Sequence, residues 1–93
     1  MEEPARTSRP ALKRGCRLSP PSHSESLLFI PEGALRLQGP GRRILELCDG
    51  QRTLSDLIKE LQSEFPKAEA ERISGEVISF LKRLQEKGAI EFI

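Results

Sequence analysis

The sequence is short of the residues that build reactive centres. It holds one histidine, His23, two cysteines, Cys16 and Cys48, and one methionine, with no tyrosine and no tryptophan. A structural zinc site needs about four Cys, His or carboxylate ligands at close paired spacings. One histidine and two widely separated cysteines do not supply them, so no metal is expected. The same scarcity excludes a disulfide framework, and both thiols are expected to stay reduced. The only histidine lies in the loop Pro20-Pro21-Ser22-His23-Ser24-Glu25, so no Ser/His/Asp arrangement can form. His23 reads as an exposed loop residue.

Long apolar runs are also missing. No stretch approaches the ~18 apolar residues of a membrane span, and the N-terminus lacks the apolar core of a signal peptide. A cytoplasmic protein without membrane contact is the expectation. Charge of one sign is absent as well: 15 Lys and Arg face 14 Asp and Glu, a net of +1. A dedicated nucleic-acid binder is usually far more basic. Finally, 93 residues exclude a (β/α)8 barrel, which needs about 200 or more. An autonomous catalyst is not expected, nor is any cofactor.

What is present is one small core. Leu, Ile, Val and Phe make up 25 of the 93 residues, enough for a packed domain rather than a disordered chain. The charge divides unevenly. Residues 1–17 carry a net of +3 and residues 18–93 a net of −2. Residues 1–15, with two prolines, four basic side chains and no hydrophobic period, read as a disordered basic tail. Residues 16–93 read as the folded domain.

Within that domain, Cys16–Ser19 predicts a short first strand. Ser26–Ile30 is an apolar run of strand length, and Pro31-Glu32-Gly33 is turn chemistry. Ala34–Gln38 then alternates, with Leu35 and Leu37 on one face and Arg36 and Gln38 on the other. These runs predict a β-hairpin. Pro40 suits the first turn of a helix bearing Ile44, Leu45, Leu47 and Cys48, stopped by Asp49-Gly50. Thr53 caps a second helix, with Asp56 at the third position and a stripe of Leu54, Leu57, Ile58, Leu61 and Phe65. Pro66 breaks it. A third helix spans about Glu69 to Lys87, its stripe being Ile73, Val77, Phe80, Leu81 and Leu84, with Lys82, Arg83 and Lys87 complementing the negative end of its dipole. Ala89–Ile93 is a short final strand or an ordered tail. The fold class is α+β: a small antiparallel three-stranded sheet followed by three helices, winged helix-turn-helix-like.

No constellation on this scaffold carries chemistry. Glu60 and Glu64 lie on a solvated face, where nothing tunes them for acid–base work. Cys48 sits on an apolar face and reads as a small buried hydrophobe. Gly39-Pro40-Gly41 lacks the spacing and the Lys-Ser/Thr of a phosphate loop. Binding remains. A winged-helix DNA-binding or regulatory protein is one possibility, opposed by Glu69, Glu71 and Glu76 on the third helix, which would repel phosphates. The other is β-augmentation, in which an extended peptide pairs with the alternating strand Ala34–Gln38 beside the third helix. If the Leu37 N–H faces that peptide, Leu37→Pro removes a donor.

The segments Leu27-Leu28-Phe29-Ile30-Pro31-Glu32-Gly33-Ala34-Leu35 and Ile44-Leu45-Glu46-Leu47-Cys48-Asp49-Gly50-Gln51-Arg52-Thr53 resemble the pyrroloquinoline quinone (PQQ) biosynthesis protein D family. Val77-Ile78-Ser79-Phe80-Leu81 and Lys87-Gly88-Ala89-Ile90 match its ending. The resemblance implies a non-catalytic peptide chaperone, a recognition element for a ribosomally made peptide. Its partners would be the PQQ precursor peptide and the radical S-adenosylmethionine enzyme that modifies it, and a monomer is expected over a dimer. In such domains the peptide adds a strand in a cleft against the third helix. Carried onto this chain, the strand side is Leu35, Arg36, Leu37 and Gln38, and the helix side Arg72, Ile73, Glu76, Val77 and Phe80.

Overall fold

The apolar run and the alternating run pair as a hairpin in the computed structural model, which describes residues 5–20, 22 and 24–93. The reading of His23 lies outside the described residues. Strand β3 (Leu27–Ile30) runs antiparallel to β4 (Gly33–Arg36), with Leu28 opposite Leu35 and Ile30 opposite Gly33. Pro31 and Glu32 make the turn, and Gly33 follows at φ +151°, a value that side-chain-bearing residues rarely adopt. A two-residue strand, β2 (Arg17–Leu18), pairs with β3 on its other side and completes a three-stranded sheet in the order β2-β3-β4.

Three helices follow. Helix α1 (Gly41–Glu46) is tied back to the sheet by Arg42, whose guanidinium donates to the Ser19 carbonyl at 2.8 Å and to Ser19 Oγ at 3.3 Å. Helix α2 (Leu54–Glu64) begins at the expected cap: Thr53 Oγ1 accepts from the Asp56 N–H at 3.1 Å. Arg43 joins the two helices through a forked contact to Glu64, its shortest distance 2.6 Å. Helix α3 (Ala70–Glu86) buries Ile73, Val77, Ile78, Leu81 and Leu84. Leu28 from the sheet and Leu45, Leu54, Leu57, Leu61 and Leu81 from the helices form the fully buried centre. No helix among the described residues is long and apolar enough to cross a membrane.

Among the described residues, the N-terminal segment departs from the expectation of a structureless tail over residues 1–15. Pro10–Leu12 form a strand, β1, antiparallel to a C-terminal strand, β5 (Ile90–Phe92), with Ala11 opposite Glu91. Pro10 is fully buried, and Leu12 packs against the core. The residues before β1 reach the start of α2. There the Leu54 N–H donates to the Ser8 carbonyl at 2.8 Å and the Ser55 N–H to the Arg6 carbonyl at 3.0 Å. The first N–H groups of a helix have no partner within it. Thr53 alone satisfies one, and the N-terminal segment satisfies two more. Three strand residues carry too little period to be read locally, and their partner lies at the far end of the chain.

Candidate functional site

Strand β4 is an edge of its sheet, and its backbone groups alternate in direction. The Leu37 N–H donates to the Ser26 carbonyl at 2.9 Å, which fixes the phase of the ladder. In antiparallel pairing, alternate residues point both their N–H and C=O at the partner strand. Leu35 and Leu37 therefore bond toward β3, while Ala34 and Arg36 direct theirs at the open edge. The side chains follow the other alternation: Leu37 is buried and Leu35 half-buried against the core, and Ala34 and Arg36 are exposed. The Leu37 N–H is thus committed inside the sheet, which settles the conditional reading against it. The donor available at the edge is Arg36.

A groove runs between this edge and α3. Beside β4 it is lined by Leu35, Arg36, Leu37 and Gln38 on one wall and by Phe80, Arg83, Leu84 and Lys87 on the other. It continues past the start of α1, where Gln38, Pro40 and Gly41 face Arg72, Glu76 and Phe80. Of the nine residues expected from the sequence, Leu35, Arg36, Leu37, Gln38 and Phe80 meet directly, and Arg72 and Glu76 lie further along the same wall. Ile73 and Val77 are placed differently. Both are buried, and they line an apolar recess of about 330 Å³ with Ile44, Leu61 and the half-exposed Phe65. The recess shares Pro40, Ile44 and Glu76 with the groove, so the two are continuous.

Phe80 is the hinge of this geometry. A Cβ on Gly41 would lie 3.2 Å from its ring, so the first residue of α1 has to be small for the ring to rest there. Sequence reasoning placed Phe80 but passed over Arg83 and Lys87, which it read only as complements to the helix dipole. The signal was present: Arg72, Glu76, Phe80, Arg83 and Lys87 follow at spacings of four, four, three and four, one stripe along one helix face. Arg72 is tied to Glu76 at 3.2 Å and Arg36 to Glu25 at 3.4 Å. Arg83 and Lys87 make no ion pair among the described residues.

The distinctive Cys48–Thr53 segment lines none of this groove. Asp49 Oδ1 accepts the Gln51 and Arg52 N–H groups, each at 2.9 Å, and these donors hold its carboxyl below the usual range. Gly50 sits at φ +76° with its N–H donating to the Pro10 carbonyl. A Cβ there would meet Ala11 at 3.3 Å. Cys48 donates to the Ile44 carbonyl, and burial pushes its thiol up to about 12. The segment is scaffold: it joins α1 to α2 and seats β1.

An unpaired strand edge beside a helix-walled groove, on a small α+β scaffold, is the geometry that backbone pairing with an extended peptide requires. Known proteins of similar sequence and fold place the chain in a family. The family model described as Coenzyme PQQ synthesis protein D (PqqD) matches residues 25–90, and the chain belongs to that family. Among curated relatives, the PqqA binding protein of Stutzerimonas stutzeri is 33% identical over 92 residues, covering 98% of each chain. That of Klebsiella pneumoniae is 38% identical over 78 residues, covering 83% of each. Among solved structures, the solution NMR structure of the PqqD truncation of Methylobacterium extorquens PqqCD matches with a TM-score of 0.72 and 28% identity. The match covers 88% of this chain and 87% of that one, which is described as a functional, stand-alone RiPP recognition element.

Proposed function

We propose that this chain is a peptide chaperone of PQQ biosynthesis. It binds the ribosomal precursor peptide PqqA as an added strand on the β4 edge and presents it to a radical S-adenosylmethionine enzyme. The observation that carries the reading is the open edge of β4, with Ala34 and Arg36 directing backbone donors and acceptors into a groove walled by α3. The curated relatives named as PqqA binding proteins support the choice of peptide. On this reading the domain acts in the cytoplasm as a monomer and performs no chemistry itself. DNA fits the surface poorly: the first turns of α3 carry Glu69, Glu71 and Glu76, and Arg72 is engaged by Glu76.

The test is an NMR titration of the isotope-labelled chain with PqqA peptide. Shifts should cluster on residues 34–38 and along 72–87. Saturable shifts confined to β1, β5 or the start of α2 would sink the assignment. Retention of the radical enzyme by the protein–peptide complex, measured by size-exclusion chromatography, tests the presentation step.

A further inference from the structure

The groove has a chemical polarity that an added strand alone would not require. The described part of the chain beyond residue 17 is net negative, yet the groove wall beside β4 carries Arg36, Arg83 and Lys87 and no carboxylate. Arg36 is engaged by Glu25, whereas Arg83 and Lys87 make no ion pair among the described residues. They stand one helical turn apart at exposed positions, Arg83 in the last turn of α3 and Lys87 at its C-cap, flanking Leu84 at the groove floor. At the other end the groove opens into the apolar recess of Phe65, Ile73 and Val77. Phe65 is 44% exposed, one of two large apolar side chains left so open among the described residues.

We propose that the groove selects a two-point sequence pattern: an acidic side chain against Arg83 and Lys87, and a bulky apolar side chain in the recess of Phe65, Ile73 and Val77. The proposal rests on the peptide reading above and names which peptides it admits. The spacing follows from helix geometry. The two points are centred about ten residues apart along α3, or about 15 Å at 1.5 Å per residue. An extended peptide covers that span in about four or five residues at roughly 3.3 Å each. Two cations covered by a bound peptide lose water, so a carboxylate facing them recovers what an amide cannot. Backbone pairing on β4 is blind to sequence, and these two contacts supply the discrimination that it lacks.

The experiment is fluorescence anisotropy with labelled PqqA peptide and the full chain. Each Asp or Glu of the peptide is replaced in turn by its amide, and each bulky apolar residue by Ala. On the protein side, R83Q/K87Q and F65A are compared with the parent, with circular dichroism as the folding control. One acidic replacement should weaken binding by about tenfold, and R83Q/K87Q should weaken it equally. The two losses should not add when combined. One apolar replacement, about four or five residues away, should behave in the same way toward F65A. If the parent chain binds PqqA but every acidic replacement stays within about twofold, the pattern is wrong and the peptide reading stands. If the parent chain shows no binding, both fall. The peptide replacements decide the question even if a protein variant misfolds.

Discussion

The Leu37 N–H donates to the Ser26 carbonyl at 2.9 Å. That one bond sets the phase of β4 and assigns the outward donor to Arg36. Arg36→Pro removes a donor from the open edge without breaking the internal ladder, since proline is tolerated on the solvent side of an edge strand. It should abolish most PqqA affinity and leave the urea midpoint little changed. Leu37→Pro breaks the ladder and should destabilise the fold by about 1–3 kcal/mol. Equal stability losses for the two variants would contradict the assigned phase.

Gly41 and Phe80 make a second pair. Gly41→Ala places a methyl 3.2 Å from the Phe80 ring, and the half-buried ring can yield by moving into the groove. The variant should fold with less than about 1 kcal/mol lost, while peptide affinity falls. A peptide Kd unchanged from the parent would show that Phe80 does not shape the site.

The N-terminal segment should matter for stability. Deleting residues 1–8, which keeps Arg9 and its backbone pairing with Ile93, removes the Arg6 and Ser8 carbonyls from the Ser55 and Leu54 N–H groups. Losing two such hydrogen bonds should cost about 1–2 kcal/mol in chemical denaturation. An unaltered denaturation midpoint would mean that these carbonyls contribute nothing to α2.

The two thiols should differ in reactivity. Cys16 is partly exposed, whereas Cys48 is buried with its thiol pushed up to about 12. Iodoacetamide at neutral pH should label Cys16 in the native state and Cys48 only on unfolding. The Cys48 shift also has a sign. A folded-state pKa above the unfolded one stabilises fully below about 8.5 and is lost as pH rises toward 12. Cys48→Ala should flatten that alkaline slope, and comparing denaturation curves across this range checks it.

Glu64 gives the opposite slope. The Arg43 guanidinium holds its carboxyl below the usual range, mainly by hydrogen bonding. Its contribution is present above the ordinary carboxylate pKa of about 4.3 and fades as pH falls through the lowered value. The stability difference between the parent and Glu64→Gln should be constant near neutrality and shrink in acid. A difference that grows in acid would refute the pairing.

The sequence by itself determined several features that depend on neighbours along the chain. The period of Leu54, Leu57, Ile58 and Leu61, the Thr53 cap, the Pro31–Gly33 turn and the alternation of Leu35 and Leu37 are local facts, and the structure repeats them. The burial of Cys48 was legible for the same reason. Tertiary structure alone decided what depends on distant partners. Pro10–Leu12 became a strand only because Ile90–Phe92 lies beside it. The Leu37 amide turned inward only because Ser26 stands opposite. Ile73 and Val77 left the groove for a recess only because α2 brings Leu61 and Phe65 against them. Side-chain period identifies which face of an element is buried, but not the element that buries it or the direction of each backbone donor. Those follow from packing, which joins residues remote in sequence.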